Sequence, residues 1–263
     1  MRDCEYLRSS QISSEEREFL MAYDPEKYKK PSVTADVVAL MVNEEDQLCI
    51  LLIKRGGYPY KGKWALPGGF MMTDEESVTQ AAKRELFEET GVGDVSLRQL
   101  YTFSDPDRDP RMHVVSVAYT ALLPKGSLKV RAGDDAWEAE VFRITYDVDG
   151  MTFLGGSTQI KEADLAFDHA RIIRMAIKRL RSRIKYEPDA FWLLRDKNEF
   201  AISELKVIYE TILNEKVDLA NFRKAFLRDY VDTGRVRPLN KKSHAKRPAM
   251  LYDLTEDLNE EEI

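Results

Sequence analysis

The segment Leu66–Val92 constrains the fold of this chain more than any other stretch. It places a Pro-Gly-Gly turn and a short polar loop ahead of a run that lacks Pro and Gly and is rich in Ala, Leu, Glu, Lys and Arg. This composition predicts a helix from Glu76 onward, and Gly91 predicts its C-terminal end. The glycines before the helix allow the backbone to turn and to come close to a ligand.

Three carboxylates, Glu85, Glu88 and Glu89, are predicted to share one face near the end of this helix. Residues three and four apart lie on the same side of a helix, and like charges at that spacing destabilise it modestly. Clustered carboxylate oxygens suit Mg²⁺ or Mn²⁺, which share their ligands with substrate phosphates. A solvated acidic face is the alternative. The neighbouring Arg84, the glycine loop and Gly91 favour the metal site.

The same segment resembles the Nudix hydrolase signature, G-x5-E-x7-R-E-U-x-E-E-x-G-U, in which U is apolar. Residues 84–92 match the second half of the pattern without a gap. Counting back from Arg84 places Glu76 at the first glutamate and Phe70 at the glycine position.

The glycines stand at Gly68 and Gly69 instead, so the loop Phe70–Glu75 is one residue longer than the pattern. The alternative is that Glu75 is the first glutamate and that the helix carries the extra residue. An insertion in the helix would rotate the carboxylate face by about 100°, whereas loops absorb insertions. We therefore place the insertion in the loop.

Composition limits the classes of protein that fit. The chain has 263 residues, 43% of them hydrophobic and 33% charged, which is typical of a globular protein of one large domain or two ordinary ones. Its net charge is -6, so any affinity for nucleic acid must come from a local patch. Cys4 and Cys49 lack a metal-ligand spacing, there is no secretory h-region, and apolar runs are short. We expect a cytoplasmic protein without a membrane partner.

The pattern along the chain predicts an α+β protein. Residues 1–30 form a polar leader with a short helix opened by Ser13-Ser14. Residues 31–164 hold the helix described above among strand-like segments. These predicted strands are Ser32–Val42, Gln47–Lys54, Val95–Phe103, Met112–Leu123 and Ala136–Ile144, with a hairpin over Tyr146–Leu154.

Two features near the glycines are candidate contacts for a substrate. Arg55 follows a strand beside Gly56-Gly57, where a cation can meet a phosphate. The loop Ser104–Arg111 lies between two strands and contributes Arg108 and Arg111. A surface arginine and a solvated turn are the respective alternatives. With the two glycines of the box, these arginines form the predicted substrate site.

The C-terminal part of the chain changes character. Residues 165–186 form an amphipathic connecting helix over Leu165–Lys185, with a basic outer face. Residues 187–254 hold two short helices, opened by Ser203 and capped by Asp218, and then a basic hairpin. Residues 255–263 are an acidic tail that we expect to be disordered.

Positive charge is concentrated in this part of the chain. Residues 219–250 contain nine basic and two acidic residues. A basic second helix followed by a basic hairpin predicts duplex binding, and a solvated basic surface is the alternative. The predicted DNA-binding residues are Arg223, Lys224, Arg228, Arg235, Arg237, Lys241, Lys242, Lys246 and Arg247.

The whole chain resembles the Nudix-related transcriptional regulators of NAD metabolism. Segments outside the box that carry this resemblance include LAFDHA (165–170), NFR (221–223) and RPAMLY (247–252). The resemblance implies a Nudix α/β/α sandwich followed by a small winged helix-turn-helix domain. It also implies an ADP-ribose-like ligand and a homodimer on duplex DNA.

Two hypotheses follow. In the first, the Nudix domain is a Mg²⁺-dependent pyrophosphohydrolase of ADP-ribose, in which Glu85, Glu88 and Glu89 hold the metal and Arg84 pairs with Glu76. In the second, the domain senses the ligand without turnover and shifts the winged domains on or off DNA. The helix Asp218–Tyr230, with Arg223 and Lys224 near its start, would then enter the major groove. A weaker third hypothesis makes the C-terminal part an interaction module of a plain hydrolase.

Overall fold

The computed structural model describes residues 13–72, 75–93, 95–127, 136–148, 150–243 and 248–255. The chain forms two compact units, Met1–Pro31 and Ser32–Ile263. The first unit contains helix α1 (Ser14–Ala22) and a 3-10 turn over Pro25–Lys27. Helix α1 begins at the predicted serine pair, because the Ser13 hydroxyl accepts a hydrogen bond of 3.1 Å from the Glu16 N–H.

One mixed sheet dominates the second unit. Its strands among the described residues are β1 (Ser32–Val42), β2 (Leu48–Arg55), β3 (Trp64–Ala65), β4 (Gly68–Phe70), β5 (Leu97–Phe103), β6 (Val114–Leu123), β7 (Ala136–Asp147), β8 (Gly150–Gly155) and β9 (Thr158–Lys161). The order is β5-β6-β1-β2-β7-β8-β9, with β3 paired to β2 and β4 paired to β1. Strands β1 and β6 are parallel and the other pairs antiparallel. The predicted strands are confirmed, with ends shifted by a few residues.

Helices cover both faces of this sheet: α2 (Val78–Thr90) and α3 (His169–Arg183). Side chains alternate between the faces along β1. Val37 and its odd-numbered neighbours pack with Leu86 of α2, whereas Leu40 and its even-numbered neighbours pack with Ile177 of α3. This alternation produces the predicted α/β/α sandwich.

Helix α2 is closed at both ends by its own sequence. The Ser77 hydroxyl accepts from the Gln80 N–H (3.3 Å), and the Gln80 side chain accepts from the Ser77 N–H (2.7 Å). The helix therefore begins after Ser77 and not at Glu76 as predicted. It ends as predicted at Gly91, whose φ of 72° is left-handed and whose N–H binds the Phe87 carbonyl at 2.8 Å.

Helix α3 is shorter than the predicted Leu165–Lys185. The Ala166 N–H pairs with the Trp64 carbonyl at 2.8 Å, so the chain still follows the sheet there. Phe167 then adopts a left-handed φ of 50°, which turns the chain before the helix starts at His169. Periodicity alone did not predict this turn, because the residues before it are also apolar.

The C-terminal segment forms a winged helix-turn-helix. Its elements are a 3-10 turn (Pro188–Leu193), β10 (Phe200–Ala201), α4 (Ile202–Leu213), α5 (Leu219–Phe226), a π turn (Leu227–Val231), β11 (Val236–Lys242) and β12 (Met250–Leu254). The three strands form a small antiparallel sheet in the order β10-β12-β11. The predicted helix pair and hairpin are therefore confirmed.

The starts of the two helices differ in how well they were predicted. Ser203 does not open α4, because the cap is Ala201 and its N–H donates to the Glu204 carboxylate at 2.8 Å. Asp218 does cap α5, since its carboxylate accepts from the Asn221 N–H at 2.8 Å. The serine was an incorrect prediction, and the aspartate was correct.

One hydrophobic cluster runs from the sheet through α3 into the winged helix, from Leu40 to Phe226. Polar contacts reinforce it: the Lys125 N–H binds the Leu193 carbonyl (3.2 Å), and the Thr211 hydroxyl binds the Asp46 carbonyl (2.8 Å). None of the described helices combines the length and apolar character that crossing a bilayer requires.

Candidate ligand cleft and nucleic-acid interface

An open cleft of about 200 Å³ collects all five residues that were predicted to contact a substrate. Its lining includes Arg55, Gly68, Gly69, Arg108 and Arg111. They come from the end of β2, from β4, and from the loop between β5 and β6. The fold therefore brings together three positively charged side chains and a half-buried glycine turn that are far apart in sequence.

The glycine turn is required by close packing on both sides. A Cβ atom on Gly68 would lie 2.2 Å from the Ala35 carbonyl oxygen, and Gly68 has a φ of 156°. A Cβ atom on Gly69 would lie 2.3 Å from Glu85 Oε1. The missing side chains let the turn lie between β1 and the carboxylates of α2.

Arg84 organises those carboxylates. Its guanidinium donates to Glu76 (2.8 and 3.0 Å), to Glu85 (2.8 Å), to Glu88 (3.0 Å) and to the Phe70 carbonyl (3.1 Å). The hydrogen bond to Arg84 lowers the pKa of Glu76, and the bond to Glu76 in turn raises the pKa of Arg84.

The predicted pairing of Arg84 is therefore with Glu76 and not with Glu75. Helix α2 begins after Ser77, so the extra residue of the pattern lies before the helix. Residues 73 and 74 of this loop lie outside the described residues. Within the helix, Arg84 donates hydrogen bonds to Glu85 and Glu88, which occupy the positions that the signature gives to glutamate.

Glu89 is the most deeply buried of the box carboxylates. It accepts a hydrogen bond of 2.8 Å from the Gly68 N–H. Burial is the main cause that raises the pKa of Glu89 to about 8; the hydrogen bond from Gly68 opposes this rise, and the nearby Glu85 charge contributes to it. Burial also raises the pKa of Glu85. Two carboxyl groups that resist ionisation together favour a cation between them.

No three His, Cys, Asp or Glu side chains among the described residues are grouped closely enough to hold a metal. Mg²⁺ does not need such a cage, because one or two carboxylates suffice when phosphate oxygens and waters complete its shell. Glu85 and Glu89 fit this requirement beside the glycine turn. Glu88 is exposed and held by Arg84. The donor set therefore fits a divalent cation that binds together with a phosphate ligand.

Two arginines of the cleft lie on aromatic rings. Arg55 lies 4.9 Å from the ring centre of Phe167, and Arg111 lies 5.0 Å from that of Phe70. Arg111 also forms two bonds to Asp109, at 2.8 and 3.0 Å. Burial lowers the pKa of Arg55, and the charge of Arg111 lowers it further. The repulsion between these two cations would be relieved by an anion in the cleft.

Arg108 is held differently, because its side chain is only 4% exposed. It donates to Asp168 at 2.7 Å and to Asp36 at 3.3 Å. Asp36 also accepts from the Ser116 hydroxyl. Burial acts to lower the pKa of Arg108, but the two carboxylates outweigh it and the pKa is raised. Arg108 reaches the cleft wall from within an ion-pair network.

His169 completes this network. Its Nδ1 accepts from the Leu66 N–H at 2.9 Å, and its Nε2 lies 3.7 Å from Asp36. Complete burial lowers its pKa, so the ring is neutral. Asp36, Phe167, Asp168 and His169 were not predicted as site residues. The signal was present in LAFDHA (165–170), which carried the resemblance to the regulators but received no chemical role.

The basic residues of α5 are exposed. Arg223 and Lys224 lie in the last turn of α5 itself, which is the first half of the predicted helix Asp218–Tyr230. Helical backbone continues through the π turn over Leu227–Val231. Both side chains lie on a solvent-facing side of the second helix of the motif.

The remaining predicted DNA contacts fall into three groups. Arg228, Arg237 and Lys241 form ion pairs within the domain, with Asp229 (2.6 Å), Asp253 (2.6 Å) and Glu199 respectively. Arg235 lies over the Tyr230 ring at 5.3 Å, and Lys242 is exposed on β11. Lys246 and Arg247 lie outside the described residues. The local excess of positive charge is thus partly neutralised.

Two family models match separate parts of the chain. Residues 32–148 match the NUDIX domain, and residues 190–254 match the NrtR DNA-binding winged helix domain. The Nudix match covers strands β1 to β7 of the sheet, helix α2 and most of the cleft lining. The second match covers the helix pair and the wing.

Known proteins match the chain over its length and over its first part. The "ADPR responsive transcriptional repressor NtrR" of Acinetobacter baylyi is 33% identical over 241 residues, which are 91% of this chain and 88% of the relative. The "ADP-ribose pyrophosphatase" of Methanocaldococcus jannaschii is 41% identical over 147 residues, 56% of this chain and 73% of the relative. The crystal structure of a MutT/nudix family protein from Enterococcus faecalis has a TM-score of 0.78 at 32% identity, covering 95% of this chain and 96% of the other.

Proposed function

The chain belongs to the family of Nudix-domain transcriptional regulators with an NrtR-type winged helix, and on this premise we propose that it is an ADP-ribose-responsive regulator of transcription. The Nudix domain binds ADP-ribose in the cleft, and the winged helix binds duplex DNA. Our division of the chain, with Nudix residues 31–164, a connecting helix in 165–186 and winged residues 187–254, is part of this proposal, as is a homodimer on DNA.

The observation that carries the proposal is the composition of the cleft. Arg55 and Arg111 repel each other across it, and the Gly68–Gly69 turn offers close access to main chain. A diphosphate satisfies both features, because it supplies negative charge and needs no bulky side chain near its oxygens. The aromatic rings that support the two arginines provide flat surfaces for a base or a sugar.

Calorimetric titration of the full chain with ADP-ribose tests this assignment. We expect binding of ADP-ribose and much weaker binding of ribose 5-phosphate, which lacks the diphosphate. Arg111→Met should weaken binding roughly tenfold, because it removes one charge-assisted contact and keeps an unbranched aliphatic side chain. Lys61→Met is a matched control outside the cleft lining. Equal binding of the two ligands would contradict a diphosphate site.

The DNA-binding part rests on Arg223, Lys224 and Lys242, which are exposed on α5 and β11. A duplex selected from a random pool should bind with an affinity that falls as salt rises, because counterions are released from the backbone. Binding that does not weaken with salt would contradict phosphate-led recognition. ADP-ribose should change the affinity of the selected duplex.

A second activity, hydrolysis of ADP-ribose to AMP and ribose 5-phosphate, is favoured by the complete set of box carboxylates. A divalent cation such as Mg²⁺ supplies charge neutralisation at the diphosphate when bound. Arg84 orients Glu85 and Glu88, and the Gly68 N–H fixes Glu89. The arginines of the cleft hold the diphosphate across these carboxylates.

Incubation with ADP-ribose and Mg²⁺, followed by detection of AMP, tests turnover. Glu89→Gln is the sharpest variant, because the amide oxygen still accepts from the Gly68 N–H while the negative charge is lost. We expect AMP formation to fall at least about tenfold, with metal-free ADP-ribose binding retained. If the unaltered protein formed no AMP at any metal concentration, hydrolysis would be contradicted and only the sensor function would remain.

A further inference from the structure

Helix α3 touches the ligand cleft at one end and the winged helix at the other. Asp168 and His169 stand at its start, where His169 lines the cleft. Near its end, Arg181 Nε donates to the Ile212 carbonyl of α4 at 2.8 Å. Fifteen residues of helix separate these ends by about 22 Å. One rigid element therefore joins the two sites.

The contacts at the cleft end are between charged groups, and two carboxylates share the guanidinium of Arg108. Arg108 divides its guanidinium between Asp36 of the sheet and Asp168 before α3. Arg171 of the helix is paired with Asp105 of the same loop that carries Arg108. An anion in the cleft competes with Asp168 for Arg108, because the guanidinium already lines the wall.

The contacts at the far end fix the first turn of the winged domain. The side chain of Asp189 is only 9% exposed and lies 3.1 Å from Arg98 of β5 and 3.7 Å from Arg183 of α3. Arg181 also lies 4.9 Å from the ring centre of Tyr146. A displacement of α3 relative to the sheet therefore changes two contacts with the winged domain. These are the contacts of Arg181 with Ile212 and of Arg183 with Asp189.

We propose that α3 couples the cleft to the winged helix, with Arg108 and Asp168 as the positioning residues that sense the ligand and Arg181 as the residue that transmits the change. Arg108 bonds to Asp168 and Asp36, and a diphosphate bound in the cleft draws it away from Asp168. The two states thus differ in one contact that the ligand itself alters, which is what a population shift requires. This inference rests on the proposed function, because it needs both ligand and DNA.

The test is a thermodynamic cycle on the full chain. The Kd for the selected duplex is measured with and without ADP-ribose, and the Kd for ADP-ribose with and without duplex. The two ratios must agree, and we expect a factor of roughly 10 in the unaltered protein. Arg181→Met keeps the aliphatic stem and removes the bond to Ile212. It should leave both separate affinities within about twofold and bring the coupling factor toward 1.

Lys178→Met is the matched control, because it removes a charge from an exposed position on the same helix. It should keep the coupling factor. Asp168→Asn at the opposite end of α3 should also lower the coupling factor, because it replaces the carboxylate that binds Arg108 with a neutral amide. Thermal unfolding of each variant reports folding separately from coupling.

The outcomes separate the inference from the function on which it rests. A protein that binds neither ADP-ribose nor duplex overturns both. A protein that binds each without any coupling overturns the inference together with the proposed response to ADP-ribose, and it leaves only the two binding activities standing. A coupling factor that Arg181→Met preserves overturns the inference alone. Loss of coupling in Arg181→Met and Asp168→Asn, with Lys178→Met unaffected, supports it.

Discussion

Two neighbouring glycines in the cleft have different physical roles. At Gly68 the obstacle to a side chain is the backbone of β1, because an added Cβ would lie 2.2 Å from the Ala35 carbonyl. At Gly69 the obstacle is the end of the Glu85 side chain. Backbone cannot move aside cheaply, whereas a carboxylate can rotate. The same substitution should therefore affect folding at one position and ligand binding at the other.

We expect Gly68→Ala to lower the free energy of unfolding by about 3 kcal/mol. Gly69→Ala should lower it by less than about 1 kcal/mol but should weaken Mg²⁺-dependent binding of ADP-ribose roughly tenfold, because Glu85 is displaced. Urea denaturation and calorimetry measure the two effects. Gly57→Ala is the control, since no atom lies within 4 Å of its added Cβ. Equal stability of both box variants would contradict this distinction.

His169 predicts a pH dependence of stability. Burial lowers its pKa in the folded protein below the ordinary value of 6.5, so the unfolded chain binds more protons at acidic pH. Its contribution is therefore complete above pH 6.5 and is lost as the pH falls below that value. Between pH 7.5 and 5.5, the unaltered protein should lose about 1 kcal/mol more than His169→Asn.

Asparagine is chosen because its side-chain oxygen can replace Nδ1 as the acceptor for the Leu66 N–H. Urea denaturation at the two pH values gives the difference, and the other titrating groups are common to both proteins. If both proteins lost the same stability on acidification, His169 would not be buried in its neutral form.

At the scale of elements, the sequence was informative where a local pattern determines the structure. The cap at Asp218, the stop at Gly91 and the paired helix and hairpin followed from short-range chemistry. The box pairing of Arg84 with Glu76 followed from the spacing of a family signature. The two caps and the Arg84–Glu76 pairing depend on neighbours within about ten residues.

Features that depend on distant parts of the chain were not predictable in this way. Arg108 was expected to face a ligand, yet it is bound by Asp36 and Asp168, which are 72 and 60 residues away. The buried His169 depends on Leu66, 103 residues away. Only the parallel pairing of β1 with β6 and the return of the chain at α3 bring these groups together.

The wing predicts different roles for two adjacent lysines. Both side chains are exposed, and Lys241 is paired with Glu199. Lys242→Ala should lower DNA affinity on all duplexes alike and reduce the slope of log K against log salt by about 1. Lys241→Ala should have a smaller effect, because DNA binding must first break its ion pair. Fluorescence anisotropy at several salt concentrations measures both slopes. A loss confined to one DNA sequence would contradict a backbone contact.

At the scale of the whole molecule, the hydrophobic cluster does not stop at the boundary between the two family matches. It includes Leu40 of the sheet, Ile177 of α3 and Phe191 and Phe226 of the winged domain. The bonds from Lys125 to Leu193 and from Thr211 to Asp46 cross the same region. Two modules that share one core should not unfold independently.

We therefore expect a single unfolding transition that ADP-ribose shifts for both modules together. At a ligand concentration of 100 Kd, the free energy of unfolding should rise by about 2.7 kcal/mol. The full chain labelled with 5-fluorotryptophan provides the measurement, because Trp64 lies in the sheet next to the cleft and Trp192 in the first turn of the winged domain. Their fluorine resonances are assigned with single Trp→Phe variants. Without ligand, the two resonances should lose intensity at one common urea concentration. With ADP-ribose, they should again lose intensity together, at a higher urea concentration. The contrary result is that the Trp192 resonance loses intensity at a lower urea concentration than the Trp64 resonance, and that ADP-ribose does not change its midpoint. The winged helix would then unfold independently of the ligand domain. Communication between the two through a shared core would have no physical basis.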